Sequence, residues 1–130
     1  MGALEPVALE LARSANFAVL TVNLRSGRAM THVMWVDADD DHILINTEVH
    51  RAKFKAVERD PRVTVTIWKR DDPYTYAEVR GRVVEIVRGP AARAHIDVLS
   101  QKYHGRNYDP NAIQSERVIL RIAPDVQRVH

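Results

Sequence analysis

The chain contains no cysteine, which removes disulfides, zinc–thiolate centres and a cysteine nucleophile and suits a reducing compartment. No apolar run is long enough to cross a bilayer. Residues 1–15 carry Glu5, Glu10 and Arg13 where a signal peptide would need an apolar core. The expected setting is therefore the cytoplasm, with no membrane partner. No Gly-, Ser- or Pro-rich stretch offers a linker, so the 130 residues are expected to form a single domain, 1–130. The 19 basic and 17 acidic residues are mixed along the chain, and the few aromatics do not alternate with the basic ones as a base-stacking platform would need. No nucleic-acid partner is expected.

Catalytic signatures are missing too. There is no Gly-x-Ser-x-Gly, no His-Glu-x-x-His, no Gly-rich phosphate loop ending in Lys-Ser/Thr and no dinucleotide fingerprint, which removes hydrolases and the common nucleotide enzymes. The six histidines, His32, His42, His50, His95, His104 and His130, have no metal-ligand spacing. Asp39, Asp40 and Asp41 lack the glycine and distal glutamate of a calcium loop, and read as an acidic hairpin tip. No metal is expected. Chemistry carried by an organic cofactor needs none of these motifs: the protein has only to bind a phosphate, seat a ring and leave one face open.

What is present is a series of strand-like runs. Pro6 to Ser14 reads as a short packing helix. Phe17 to Leu24 and Ala29 to Asp37 flank the turn residues Arg25-Ser26-Gly27-Arg28 and spell a hairpin. A strand at His42–Thr47 is followed by a helix at Arg51–Arg59, which ends at Asp60-Pro61. Arg62 to Lys69 alternates strictly, with Val63, Val65 and Ile67 on one face. Tyr74 to Val87 is a long strand in which Gly81 marks a bend or bulge. Gly89-Pro90 opens a helix with Ala92, Ile96, Leu99 and Tyr103 in its buried stripe; residues 105–115 form a polar loop, and a sixth strand runs from Arg117 to Ile122, before Pro124. Six strands with short helices suit a mainly β, six-stranded antiparallel barrel. A sandwich fits the period-two runs as well, but the long bent strand favours closure.

The junction from Asn46 to Lys55 organises the rest. Arg51, Lys53 and Lys55 crowd a helix start, where cations oppose the macrodipole and free backbone N–H groups already attract anions. Such a start is stabilised by a bound anion, and a phosphate site is the reading; a solvated basic helix face is the alternative.

These pieces carry a resemblance. Asn46-Thr47 with Arg51-Ala52-Lys53, then Asp60-Pro61-Arg62-Val63, Asp72-Pro73-Tyr74-Thr75-Tyr76, Glu78 to Val83, and His95-Ile96-Asp97 to Lys102-Tyr103 follow the order found in one family. From about Asn16 to Ile122 the chain resembles the pyridoxamine 5′-phosphate oxidase-like split β-barrel superfamily (the FMN-binding split barrel type), and most its branch of coenzyme F-420-dependent oxidoreductases from actinobacteria. The resemblance implies a homodimer with two cofactor sites along the subunit interface. Arg51, Ala52 and Lys53 would hold the cofactor phosphate; Asn46 and Thr47 would contact the ring or its ribityl chain. The segment Met30 to Met34, with His32 and Val33, would set backbone against the ring edge, and Tyr74 and Tyr76 would line the far side from the other subunit or serve as plain interface aromatics. The implied reaction is hydride transfer from reduced deazaflavin to a small conjugated substrate, with the proton from solvent, Tyr76 or His32. The family usually has proline where Ala29 stands, glutamine where Met30 stands and a small or polar residue where His32 stands. Those departures fall near the ring and leave FMN as the alternative cofactor; the absence of a committed acid or base leaves a non-catalytic carrier as an alternative role.

Overall fold

The computed structural model describes residues 2–130. Its elements follow in the order α1 (Pro6–Arg13), β1 (Phe17–Asn23), β2 (Ala29–Met34), β3 (Asp37–Ala38), β4 (Ile43–Glu48), α2 (Ala52–Arg59), β5 (Arg62–Lys69), β6 (Asp72–Val87), α3 (Pro90–His104), a single 3-10 turn at Pro110–Ala112 and β7 (Arg117–Val129). All seven strands belong to one antiparallel sheet in the order β2-β1-β5-β6-β7-β4-β3.

That order closes the sheet on itself. The two edge strands, β2 and β3, are consecutive in the chain and separated only by Trp35 and Val36. Three residue steps span at most about 11 Å, so a sheet of seven strands can be threaded this way only if it curls until its edges approach. The alternating side chains then face a common interior. Ala18, Leu20 and Val22 of β1, Val63, Val65 and Ile67 of β5, and Leu120 and Ile122 of β7 fill it, with Ile43 and Ile45 of β4. α1 adds Ala8, Leu11 and Ala12, and α2 adds Phe54, Ala56 and Val57, so each helix buries one stripe against the same core.

The sequence reading of a mainly β split barrel holds, with two adjustments. First, the strand expected from Ala29 to Asp37 is broken in two, which makes seven strands in place of six. The break is at Val36, whose backbone N–H donates to the Tyr103 hydroxyl (3.1 Å) and whose carbonyl accepts from Lys102 Nζ (2.6 Å). Side chains of α3 thus take the ladder bonds of one residue, and the chain passes from the β1 edge to the β4 edge. Second, the last strand does not stop before Pro124. It continues to Val129, because Pro124 lies opposite Gly81 where the β6–β7 register shifts, a position at which proline's missing N–H interrupts no regular pair.

Gly81 is where β6 bends, as its place in the long strand implied. The cause is steric: a Cβ there would drive into the Ala123 carbonyl oxygen and crowd Ile122. Gly81→Ala should therefore destabilise the protein by about 1–3 kcal/mol, the range for overpacking a fixed backbone contact. Urea unfolding would read this as a lower midpoint at unchanged slope, and an unchanged midpoint would show that β6 and β7 can part at this point at no cost.

Candidate functional site

The β4–α2 junction forms one wall of the main cleft. β4 ends at Glu48, the chain turns with Arg51 N–H donating to the Glu48 carbonyl (3.1 Å), and α2 begins at Ala52 with Arg51 as its N-cap. No side chain caps this helix and no acidic residue stands in its first turn. The helix start therefore exposes its backbone donors together with basic side chains.

Beside it is a cleft of about 550 Å³. β2 contributes His32, Val33 and Met34; β4 contributes Asn46, Thr47 and Glu48; the junction adds His50, Arg51 and Lys53. α3 closes the floor with Ile96 and Leu99, and the loop after it supplies Tyr108, Ala112 and Gln114. Arg117, first residue of β7, completes the ring, with Phe17 and Trp35 at the aromatic end. Trp35 stacks on Tyr103 (5.0 Å between centroids, 6° apart) and meets Tyr108 edge-on, which fixes that end as a rigid aromatic wall.

The electrostatics are lopsided. Arg51, Lys53 and Arg117 place three cations around the cleft against one carboxylate, Glu48. That carboxylate is already committed: Oε1 accepts from the backbone N–H groups of Gln114 (2.7 Å) and Ser115 (2.6 Å), and Oε2 accepts from Arg117 Nη1 (3.0 Å). Burial opposes its charge, but these hydrogen bonds and the Arg117 charge outweigh it and hold Glu48 below the usual carboxylate range. Lys53 is only 2% exposed, and no hydrogen bond or ion pair engages its Nζ among the described residues. Burial, with Arg51 and Arg117 adding repulsion, lowers its pKa to about 8. His32 is held below the usual imidazole value by burial and then by Lys53 and Arg51, so it is neutral at pH 7. The cleft thus carries more positive than negative charge, and Lys53 is its least compensated group.

The structure brings His32, Val33, Met34, Asn46, Thr47, Arg51 and Lys53 to this one cleft. Ala52 is the first residue of α2, contributing backbone at its start. Met30 lies further along β2, packed against the core and outside the cleft wall. Tyr74 and Tyr76 do not reach this cleft: Tyr74 is 86% exposed, and Tyr76 stacks on His130 (4.5 Å) beside Thr66, Trp68 and Pro73. Residues that sequence reasoning passed over are Glu48, Arg117, Tyr108 and Gln114. Glu48 and Arg117 face each other across β4 and β7, a pairing that becomes visible only once those two strands are known to be neighbours.

Residues 4–130 match the family model described as pyridoxamine 5′-phosphate oxidase. A solved structure described as an F420 reductase is 25% identical, covers 96% of this chain and 98% of its own, and superposes with a TM-score of 0.83. Rv2991 of Mycobacterium tuberculosis is similar at 25% identity, 92% and 79% coverage and a TM-score of 0.70. The General Stress Protein 26 of Bacillus anthracis, at 20% identity, 93% and 88% coverage and a TM-score of 0.68, shares the fold. No curated protein matches the chain.

The unbalanced Lys53 has a measurable signature. Folded, it titrates near 8; unfolded, a lysine titrates near 10.4. Between those values the unfolded chain binds more protons, so this group's contribution to stability rises with pH through that window. Lys53→Met should be about 1–3 kcal/mol more stable than the ligand-free wild type at pH 7, and the difference should shrink by pH 9.5. Urea midpoints at the two pH values test this. A difference that stays constant between them would mean that Lys53 is not an uncompensated cation.

Proposed function

Because the family model matches residues 4–130, the chain belongs to the pyridoxamine 5′-phosphate oxidase family, and we propose that it is an oxidoreductase whose cofactor is the deazaflavin coenzyme F-420, with FMN as the runner-up. The observation that carries this reading is the buried Lys53, without a partner, flanked by Arg51 and Arg117 at a bare helix start. A phosphate supplies the missing negative charge, and a cleft of about 550 Å³ falls within the roughly 300–1,000 Å³ of small-ligand sites. The residues present therefore fit a phosphate-bearing flavin-type cofactor. The likeness to the F420 reductase, at 25% identity over nearly both full chains, favours the deazaflavin.

Bound there, such a cofactor supplies two-electron hydride chemistry to a small conjugated substrate. The chain's own contribution is holding and excluding. Arg51, Lys53 and the backbone N–H groups of Ala52 and Lys53 hold the phosphate. β2 pairs only with β1, so its other rim of backbone N–H and C=O groups is free to meet a ring edge along residues 30–34. Ile96, Leu99 and Trp35 exclude water from one side. Of the two proton donors considered, His32 stands in the cleft; Tyr76 would reach it only from a second copy. We place that second copy over the open side of the cleft, where Val33 is 65% exposed, with its Tyr74 and Tyr76 against the cofactor. Sedimentation at micromolar concentration should then give a dimer.

The direct test is a paired titration with coenzyme F-420 and with FMN, read by fluorescence. Tight binding of F-420 and weak binding of FMN supports the proposal; the reverse order makes the protein a flavoprotein. Replacing Arg51 and Lys53 together by alanine should weaken binding by about 100-fold or more, the loss of two charge-assisted contacts, while circular dichroism stays native. Retained affinity would place the phosphate elsewhere. Binding without turnover of any conjugated substrate would leave a carrier.

A further inference from the structure

Arg117 stands opposite Glu48 in the β4–β7 ladder and lines the same cleft as the helix start, and its guanidinium is held as few surface arginines are. The side chain is only 8% exposed. Nε donates to Asn46 Oδ1 (2.8 Å) and Nη1 donates to Glu48 Oε2 (3.0 Å). The Tyr108 ring stands 5.4 Å from the guanidinium carbon. Three contacts, two from β4 and one from the loop after α3, fix the plane of the group. They leave Nη2 and one hydrogen of Nη1 without a protein partner, and no buried side-chain nitrogen is left without a partner, among the described residues, so Nη2 opens into the cleft that Arg117 lines.

The orientation propagates from further away. Arginine can only donate, so the Asn46 side chain must turn its oxygen toward Arg117 and its amide nitrogen away. That nitrogen donates to the Ala92 carbonyl (3.1 Å) and to His95 Nδ1 (3.1 Å). His95 Nδ1 is therefore the acceptor, its hydrogen sits on Nε2, and Nε2–H donates to Asp37 Oδ2 (2.9 Å). Asp37, on the short edge strand β3, thus orders His95 of α3, which orders Asn46 of β4, which orders Arg117 of β7. The donors of Asn46 are spent within the protein, which makes it a scaffold for Arg117 ahead of a contact for a ring.

We propose that Arg117 is a further ligand-binding residue, presenting a planar fork of N–H groups to the oxyanion that Arg51 and Lys53 attract, and that His95 is the residue that positions it through Asn46. The inference rests on the phosphate-bearing cofactor proposed above and deepens it: the site reads both the charge of the anion and the direction of its oxygens. A lysine at position 117 keeps the charge and loses the fork, because it cannot bond Asn46 and Glu48 at once while reaching the cleft.

The test compares a phosphorylated ligand with its phosphate-free core. Wild type, Arg117→Met, Arg117→Lys, His95→Leu, His95→Gln and Asn46→Ala are titrated with whichever of F-420 and FMN binds, and with the matching deazariboflavin or riboflavin. Arg117→Met should weaken the phosphorylated ligand about 10- to 100-fold and leave the core within about twofold. Arg117→Lys should fall between. His95→Leu should show a smaller loss, about fivefold, with the same selectivity, and His95→Gln, which can accept from Asn46 and donate to Asp37, should restore it. Asn46→Ala cuts the relay in its middle and must give the same selective loss should His95→Leu fail to fold. Equal losses for both ligands would reduce Arg117 to packing and overturn the proposal; an unchanged ratio in His95→Leu and Asn46→Ala would overturn the relay. These outcomes are separable from failure of the cofactor reading, which shows instead as wild type binding neither ligand or as Arg51→Ala with Lys53→Ala keeping full affinity.

Discussion

Trp35 and Val36 are all the chain has to join the two edges of a seven-stranded sheet. A link that short leaves the sheet no choice but to curl, and the curl decides where everything else goes. It brings β2 beside the end of β4, so that His32 and Lys53 share a cleft although 21 residues apart in sequence. It also requires the Val36 backbone to find partners outside the ladder, which Lys102 and the Tyr103 hydroxyl provide. Tyr103 in turn packs on Trp35, making the closure device and the aromatic wall of the cleft one unit. Burial raises the Tyr103 pKa to about 12 despite its bond to Val36, so that closure stays protonated and neutral at any physiological pH.

Within this frame the cleft stores an electrostatic imbalance. A cation as buried as Lys53 normally finds a carboxylate. The one carboxylate at hand, Glu48, is bound by two backbone N–H groups and by Arg117, and its role is to tie the loop before β7 to the end of β4. The protein thereby keeps Lys53 poorly compensated in a space large enough for a cofactor. Destabilised sites of this kind mark binding functions more often than packing ones. Arg117 sits in the same field but is anchored, so the two cations differ in kind: Lys53 is free to follow an anion, whereas Arg117 dictates where its oxygens lie.

The strands were legible as short apolar runs between turn residues, with period-two alternation clearest at Val63, Val65 and Ile67. The bend at Gly81 was legible from a different local signal, a glycine inside a long strand. The passage of the chain at Val36 and the continuation of β7 through Pro124 were not, since both depend on partners remote in sequence: Tyr103 for one, Gly81 for the other. The site divides along the same line. Arg51 and Lys53 were visible as cations placed against a helix dipole, a local conflict that any reading of the sequence meets. Glu48, Arg117 and the Asp37–His95–Asn46 chain are pairings across β3, β4, α3 and β7, with no signature until the register is known. Tyr74 and Tyr76 were placed by resemblance, and the chain gives neither a position at the cleft.

The central claim is that Lys53 waits for an anion, and proton uptake measures it most directly. Calorimetric titration with the cofactor in two buffers of different ionisation enthalpy, at pH 8, reads the protons that binding draws in. With Lys53 titrating near 8 when ligand-free and fully charged beside a phosphate, about half a proton should enter per cofactor bound, and Lys53→Met should take up none at that pH. Heats that do not depend on the buffer would contradict the account, because they would leave the buried lysine either already neutralised or untouched by the ligand.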